Sequence, residues 1–201
     1  MREAILSCLR EELGDGYRLE HVLRVEEECR SLAELFSLPP KERRELSIAA
    51  LLHDLTKHRS IEDQLSLFTR YGVSITEADM RSPKTLHAVT GAYLARERFP
   101  DWVSETVFTA ILQHTTAAPD MSLPSKLLYL ADYIEPGRTY PSCVSLRRAF
   151  YDGLPSAPDP MAHLNRILLL SLDQTIAELR AEHAYIHPST TEAREFLLAH
   201  P

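Results

Sequence analysis

A chain of 201 residues can bury roughly 70% of its unfolded surface, and 44% hydrophobic with 25% charged residues is ordinary globular composition. The net charge of −7 argues against a general nucleic-acid or membrane-surface binder, which needs a basic face. It leaves room for a small anionic substrate, because a metal and two or three local cations reverse the field inside one pocket.

Hydrophobic periodicity is helical almost throughout. A first helix covers about Arg2 to Leu13 and stops at Gly14 and Gly16. A second runs from about Arg18 to Phe36, with Leu19, Val22, Leu23, Cys29, Leu32 and Phe36 facing a core. Pro39-Pro40 ends it, and Pro40 suits the first turn of a third helix carrying the run Ile48 to Leu55. Ser60 and Asp63 resemble a capping box for a helix through Tyr71, closed by Gly72. Ser82-Pro83 signals a helix through about Arg98, and Asp101 another to about Thr115. Ser122 caps a helix ending at Pro136-Gly137, and a short helix lies around Val144 to Tyr151. The longest helix runs from about Met161 to His183, and a last follows Pro188, capped by Ser189 or Thr190. No linker, repeat or convincing strand appears, so the expectation is one all-α domain of about ten helices. Cys8, Cys29 and Cys143 match no disulfide or zinc spacing and read as reduced thiols packed in helices. The N-terminal stretch has no apolar run long enough for a signal peptide or membrane span, which points to the cytoplasm.

The informative positions are polar residues that interrupt apolar helices. His53 and Asp54 follow Ala49 to Leu52, and Asp132 sits inside Leu127 to Ile134. His114 follows the run Val107 to Leu112, while His87 and His21 each adjoin apolar neighbours. An ionised carboxylate buried alone costs many kcal/mol, so it must be paired, neutralised or bound to a metal. Each residue alone has a plain structural explanation: a hydrogen-bonded core histidine, or Asp132 paired with Lys126 or Arg138. Four His and two Asp together would need six separate accommodations, and one shared divalent metal site accounts for all of them. Imidazole with carboxylate suits iron, manganese, zinc or nickel. Lys57, four residues after His53, and Arg18, three before His21, would offer cations to phosphate oxygens. Gly91, four after His87, would leave room above that imidazole.

The order His21, His53-Asp54, His87, His114 and Asp132 resembles the HD phosphohydrolase superfamily. The flanks His-Asp-Leu-Thr-Lys, Gln-His-Thr-Thr, Tyr-Leu-Ala-Asp-Tyr-Ile-Glu-Pro-Gly-Arg and the late Tyr185 to Thr190 are similar to its bacterial YqeK family. The resemblance covers about residues 15 to 198. It implies a symmetrical diadenosine tetraphosphate hydrolase giving two ADP, with an HD-type helical bundle. It also implies one or two divalent ions, iron before manganese, held by His21, His53, Asp54 and Asp132. His87 and His114 would then bind a second ion or, in the favoured reading, contact phosphate. Lys57, Thr115 and Arg138 match positions near the phosphates, and Tyr185, Ile186, His187 and Pro188 would line base or ribose. Where the family commonly has Gly-Arg after His114-Thr115, this chain has Ala117-Ala118.

The expected mechanism is attack of metal-bound hydroxide, oriented by Asp54, near the middle of the polyphosphate. His87 and His114 would offset charge on the oxygens or supply a proton. Two competing readings are another HD enzyme (a nucleoside monophosphate phosphatase or cyclic-dinucleotide phosphodiesterase) and a non-catalytic nucleotide-binding regulatory module. The second is disfavoured because the full ligand set is present. The partner is a small nucleotide polyphosphate, and an exposed apolar surface would allow a homodimer without any feature selecting one. His58, His163, His183 and His200 read as surface or helix-end residues.

Overall fold

A computed structural model of the protein describes residues 1–200. Among these residues there are eleven α-helices and no strand. They are α1 (Arg2–Leu13), α2 (Tyr17–Leu35), α3 (Pro40–Leu52), α4 (Ile61–Tyr71), α5 (Glu77–Arg81) and α6 (Leu86–Arg98). There follow α7 (Glu105–Gln113), α8 (Leu123–Ile134), α9 (Pro141–Gly153), α10 (Pro160–Ala181) and α11 (Pro188–Ala199). No helix among the described residues is long and apolar enough to cross a membrane.

The core sits where α2, α3, α7 and α8 pack on one another, with α6 against α7. On α2, Val22, Val25, Cys29 and Leu32 are wholly buried, the i, i+3, i+7 and i+10 positions of one face. Burying a Val or Leu side chain contributes about 1.5–3 kcal/mol each. The last turns of α3, Ile48 to Leu52, are buried on every side. On α8, Leu127 to Ala131 and Ile134 are buried as well. A helix that is apolar all round can only lie inside a bundle, so α3 and α8 become its central pieces. The pairs α9 with α10 and α10 with α11 close one end. All three cysteines are buried and free.

The termini follow local chemistry. Pro40 occupies the first turn of α3, and Ser60 accepts from the Asp63 N–H (3.1 Å) at the start of α4. Gly72 ends α4 with φ 64°, the left-handed conformation that glycine adopts without strain. Ser122 accepts from the Ser125 N–H at 3.4 Å. Several expectations need correction. The helix expected from Ser82 is preceded by α5, started by a capping box between Thr76 and Asp79 that periodicity could not show in five residues. Pro83–Thr85 is a 3-10 turn leading into α6. The helix expected from Asp101 begins at Glu105, because Ser104 rather than Asp101 accepts the capping N–H, from Val107. The cap of α11 is His187, whose Nδ1 accepts from the Ser189 N–H at 3.2 Å, and neither Ser189 nor Thr190.

Candidate metal centre

Six polar residues, three from helices and three from the turns that end two others, meet in the core. His21 projects from α2, His87 from the first turn of α6 and Asp132 from α8. His53 and Asp54 do not lie inside a helix, as the apolar run suggested. α3 ends at Leu52, and the chain continues in turns closed by Leu55 N–H to Leu52 O (3.2 Å) and Lys57 N–H to Asp54 O (2.9 Å). That change solves a geometric difficulty. Adjacent helix residues diverge by about 100°, whereas past the helix end His53 Nε2 lies 3.6 Å from Asp54 Oδ2. His114 likewise stands at the C-terminus of α7 rather than within it.

Asp54 divides the cluster, one oxygen to each half. Its Oδ2 faces His21 Nε2 (3.8 Å) and His53 Nε2 (3.6 Å). Asp132 Oδ1 completes this half, 3.0 Å from His21 Nε2 and 3.9 Å from His53 Nε2. The other ring nitrogens are committed. His53 Nδ1–H donates to Ala50 O (2.7 Å), and His21 Nδ1–H to Glu135 Oε1 (3.1 Å). A carbonyl can only accept, so in the neutral ring His53 Nε2 carries a lone pair. Both Nε2 atoms are buried without a hydrogen-bond partner. Two orphaned imidazole lone pairs aimed at two carboxylate oxygens are a donor set that a divalent ion satisfies: ligand atoms of His21, His53 and Asp54 lie within 4.8 Å of one another, and Asp132 forms a second such set with His53 and His114. These residues therefore fit a metal, and the cluster is a candidate divalent-metal site.

Asp54 Oδ1 faces the second half, 3.1 Å from His87 Nε2 and 3.9 Å from His114 Nε2. His87 Nδ1–H donates to Lys84 O (2.9 Å) and His114 Nδ1–H to Ile111 O (2.6 Å). The two Nε2 atoms stand 3.1 Å apart. Two facing lone pairs repel unless a proton or cation serves both. Lys57 Nζ, 3.3 Å from His87 Nε2, provides part of that charge, so Lys57 leans over His87 rather than standing beside His53.

Burial governs the protonation states. It lowers His53 and His87 to about 4, leaving both rings neutral at neutral pH, and pushes the Lys57 ammonium below its usual range. Burial also opposes ionisation of Asp54 and Asp132, but the imidazoles around both, with Arg138 beside Asp132, outweigh it and hold both carboxyls well below the usual carboxylate range. Arg18 Nη1–H donates to Asp54 Oδ2 (2.7 Å), and Arg138 Nη2–H to Asp132 Oδ1 (2.6 Å). The acidic chain thus has a locally cationic rim.

Residues 18–137 match the model of the HD domain family, which is more than half of the chain. The chain belongs to the HD domain family. It is 31% identical over 189 residues to the symmetrical bis(5'-nucleosyl)-tetraphosphatase of Bacillus subtilis (94% of this chain, 93% of the relative). It is also 31% identical over 182 residues to the enzyme of the same name from Halalkalibacterium halodurans (90% and 89%). Its fold matches the crystal structure of a predicted HD superfamily hydrolase involved in NAD metabolism from Clostridium acetobutylicum. That match has TM-score 0.85 and 32% identity, covering 100% of this chain and 98% of the other.

Within this HD fold, His21, His53, Asp54, His87, His114, Asp132, Arg18, Lys57 and Arg138 converge on one site. Thr115 follows His114 in the turn and lines a cleft of about 140 Å³ with Thr116, Thr85 and His187. The segment Tyr185 to Pro188 makes no hydrogen bond, ion pair or ring contact with the clustered His and Asp residues. It is tied to that turn by Thr190 Oγ1–H donating to Thr116 O (3.0 Å). Tyr185 lies under the Arg81 guanidinium, 4.0 Å from its ring centre, and His187 Nε2 is 3.8 Å from Asp79 Oδ1. Ile186 is half-buried, while Pro188 opens α11 and is exposed.

Sequence reasoning missed Glu135. It is fully buried, three residues after Asp132, and holds His21, the Arg24 Nε–H (2.7 Å) and the Gly137 N–H (2.6 Å). The run Asp-Tyr-Ile-Glu at the end of an apolar helix was the available signal. Gly91 does not make room above His87. A Cβ there would lie 3.5 Å from Thr56 Oγ1 and 3.6 Å from His53 O, ordinary contact distances, so α6 packs on the turn that carries His53 with room for a methyl group. Ala117 adopts φ 58°, a left-handed conformation that glycine would take with less strain. His163 is a core residue and not a surface one: it is buried, with Nε2–H donating to Phe150 O (2.9 Å). A cavity of about 450 Å³ lies between the α9–α10 connection and α10 and is lined by none of the clustered His and Asp residues.

Proposed function

We propose that this HD hydrolase is a single-domain, metal-dependent enzyme that cleaves diadenosine tetraphosphate symmetrically to two ADP. The observation that carries the metal half is the convergence of the unpartnered His21 Nε2 and His53 Nε2 on Asp54 and Asp132. The substrate half rests on the relatives, two of which bear that activity in their names over about nine-tenths of both chains.

His21, His53, Asp54 and Asp132 would hold the ion, iron before manganese. When bound, such an ion supplies Lewis acidity and lowers the pKa of water to near neutrality. Asp54 orients the attacking water, since its two oxygens reach both halves of the site. Arg18, Lys57 and Arg138 bind non-bridging phosphate oxygens, and a buried Arg18 Nε–H without a partner is a donor available for one. His87 and His114 contact the phosphates from the other half. Lys57 Nζ, 3.3 Å from His87 Nε2, is the cation of this half that offsets charge as it develops on the oxygens. Glu135 keeps His21 in the tautomer that presents Nε2. Thr115 and Tyr185, Ile186, His187 and Pro188 form the wall for one nucleoside. The ADP leaving group needs little protonation, so no strong general acid is required.

The test is to load purified protein with iron or manganese, incubate it with diadenosine tetraphosphate beside Asp54→Ala, and separate the products. We expect two ADP from the wild type and a loss of several orders of magnitude in the variant. AMP plus ATP would overturn the cleavage register. No turnover with iron, manganese or cobalt would overturn the substrate assignment.

A further inference from the structure

A symmetrical cut leaves one nucleoside diphosphate on each side of the reacting phosphates, so the protein meets two nucleobases. The wall described above accounts for one of them, on the His114 side of Asp54. The other side of Asp54 carries His21, Arg18 and Arg138. Beyond them stands Tyr17, and, resting on the dinucleotide reading, we propose that Tyr17 is the stacking platform for the second nucleobase.

Tyr17 opens α2, four residues before His21, and therefore lies on the same helix face one turn nearer the solvent. Its ring is nearly parallel to the His21 imidazole, with planes 12° apart and centroids separated by 6.5 Å. The ring is 57% exposed, although it adjoins the most charged part of the site. Scattered exposed apolar residues need no explanation, but this one is set among groups that bind phosphate. The next residue, Arg18, places one N–H on Asp54 (2.7 Å) and keeps its buried Nε–H without a partner. A phosphate bound there starts a chain whose base comes to rest beside Tyr17. The Arg24 guanidinium lies 5.7 Å from the Tyr17 ring centre and is itself held by Glu135 (2.7 Å), so the platform is pre-ordered before substrate arrives. Stacking reads no base edge, because every base offers a π face. This subsite therefore takes purines and pyrimidines alike.

The experiment compares diadenosine tetraphosphate with adenosine 5'-tetraphosphate, which has the same phosphate chain and a single base. Tyr17→Ala should lower kcat/KM for the dinucleotide roughly 5- to 100-fold, mostly through KM, the range that base–aromatic stacking supports. The same variant should change kcat/KM for adenosine tetraphosphate by less than about 2-fold, a discrimination that stacking on one base alone requires. Tyr17→Trp should restore the dinucleotide value. An equal loss on both substrates would overturn the proposal, since it would mean that Tyr17 acts by supporting His21 or Arg18. Unchanged kinetics on both would overturn it as well. A wild type that leaves the dinucleotide intact would sink the functional reading and this inference with it, whereas an active wild type matched by Tyr17→Ala sinks this inference alone.

Discussion

Replacing Glu135 tests whether the metal site depends on the residue behind His21. Its carboxylate is fully buried and accepts from His21 Nδ1–H (3.1 Å), Arg24 Nε–H (2.7 Å) and Gly137 N–H (2.6 Å). Burial opposes its charge, but the bonds from His21, Gly137 and Arg24 outweigh that and hold the carboxyl below its ordinary value. Glu135→Ala deletes all three bonds and leaves the partly exposed Arg24 with only the Glu20 carboxylate at 3.5 Å, and breaking a buried charge pair costs at most about 3–5 kcal/mol. Against a total of about 5–15 kcal/mol for a domain, the variant should fold with a reduced margin. Glu135→Gln keeps the volume and one acceptor, but its amide turns N–H groups towards donors. It should cost about 1.5–3 kcal/mol, the worth of a charge-assisted hydrogen bond. The second effect is specific. Without a carboxylate on Nδ1, His21 is free to protonate Nε2 and turn a donor towards the ion, and loss of such a partner lowers metal affinity about 10- to 100-fold. Urea denaturation of metal-free protein measures the first effect, and competition of manganese against a chelating dye measures the second. If Glu135→Gln loses stability but binds manganese within about 2-fold of wild type, Glu135 is a structural residue only and the reasoning about tautomer control fails.

The buried imidazoles set the acid side of the stability profile. His53 and His87 are lowered to about 4, so in the metal-free protein they stay neutral while the unfolded chain takes up protons below about 6.5. Stability should fall as pH drops from 6.5 towards 4, by up to about 3 kcal/mol per histidine. Glu135, lowered in the folded state, contributes above the unfolded carboxylate value and is lost only further down. Urea midpoints that stay level between pH 6.5 and 4.5 would contradict the burial argument. At Gly91, the neighbours of an added Cβ stand at 3.5 to 3.9 Å, ordinary contact distances. Gly91→Ala should be neutral or stabilising by up to about 1 kcal/mol, whereas Gly91→Leu should displace the His53 turn and lower metal affinity. Thermal melts and the same dye competition read both variants.

Local sequence determined the helices and the identity of the polar intruders. A periodicity of 3.6 residues, proline at helix starts and glycine at helix ends are short-range signals, so most of α1 to α4 and α8 to α11 were legible. The six clustered His and Asp residues were legible for a different reason. Carboxylates and imidazoles inside apolar runs contradict burial unless something binds them, and that contradiction is visible without a structure.

Tertiary structure decided what distance along the chain conceals. The same apolar run that announced α3 also suggested that His53 and Asp54 were helical, because a buried turn has a buried helix's composition. Glu135 serves His21 from 114 residues away, and no local pattern records such a pair. Tyr17 and Arg18 acquire meaning only once α2 is laid beside the α3 turn and α8. His163 looks like a helix-end residue in sequence, and only packing against Phe150 makes it part of the core. A chain can encode its helices through neighbours three and four residues apart. The orientation of a ring nitrogen is set by whichever acceptor the fold brings to its other side.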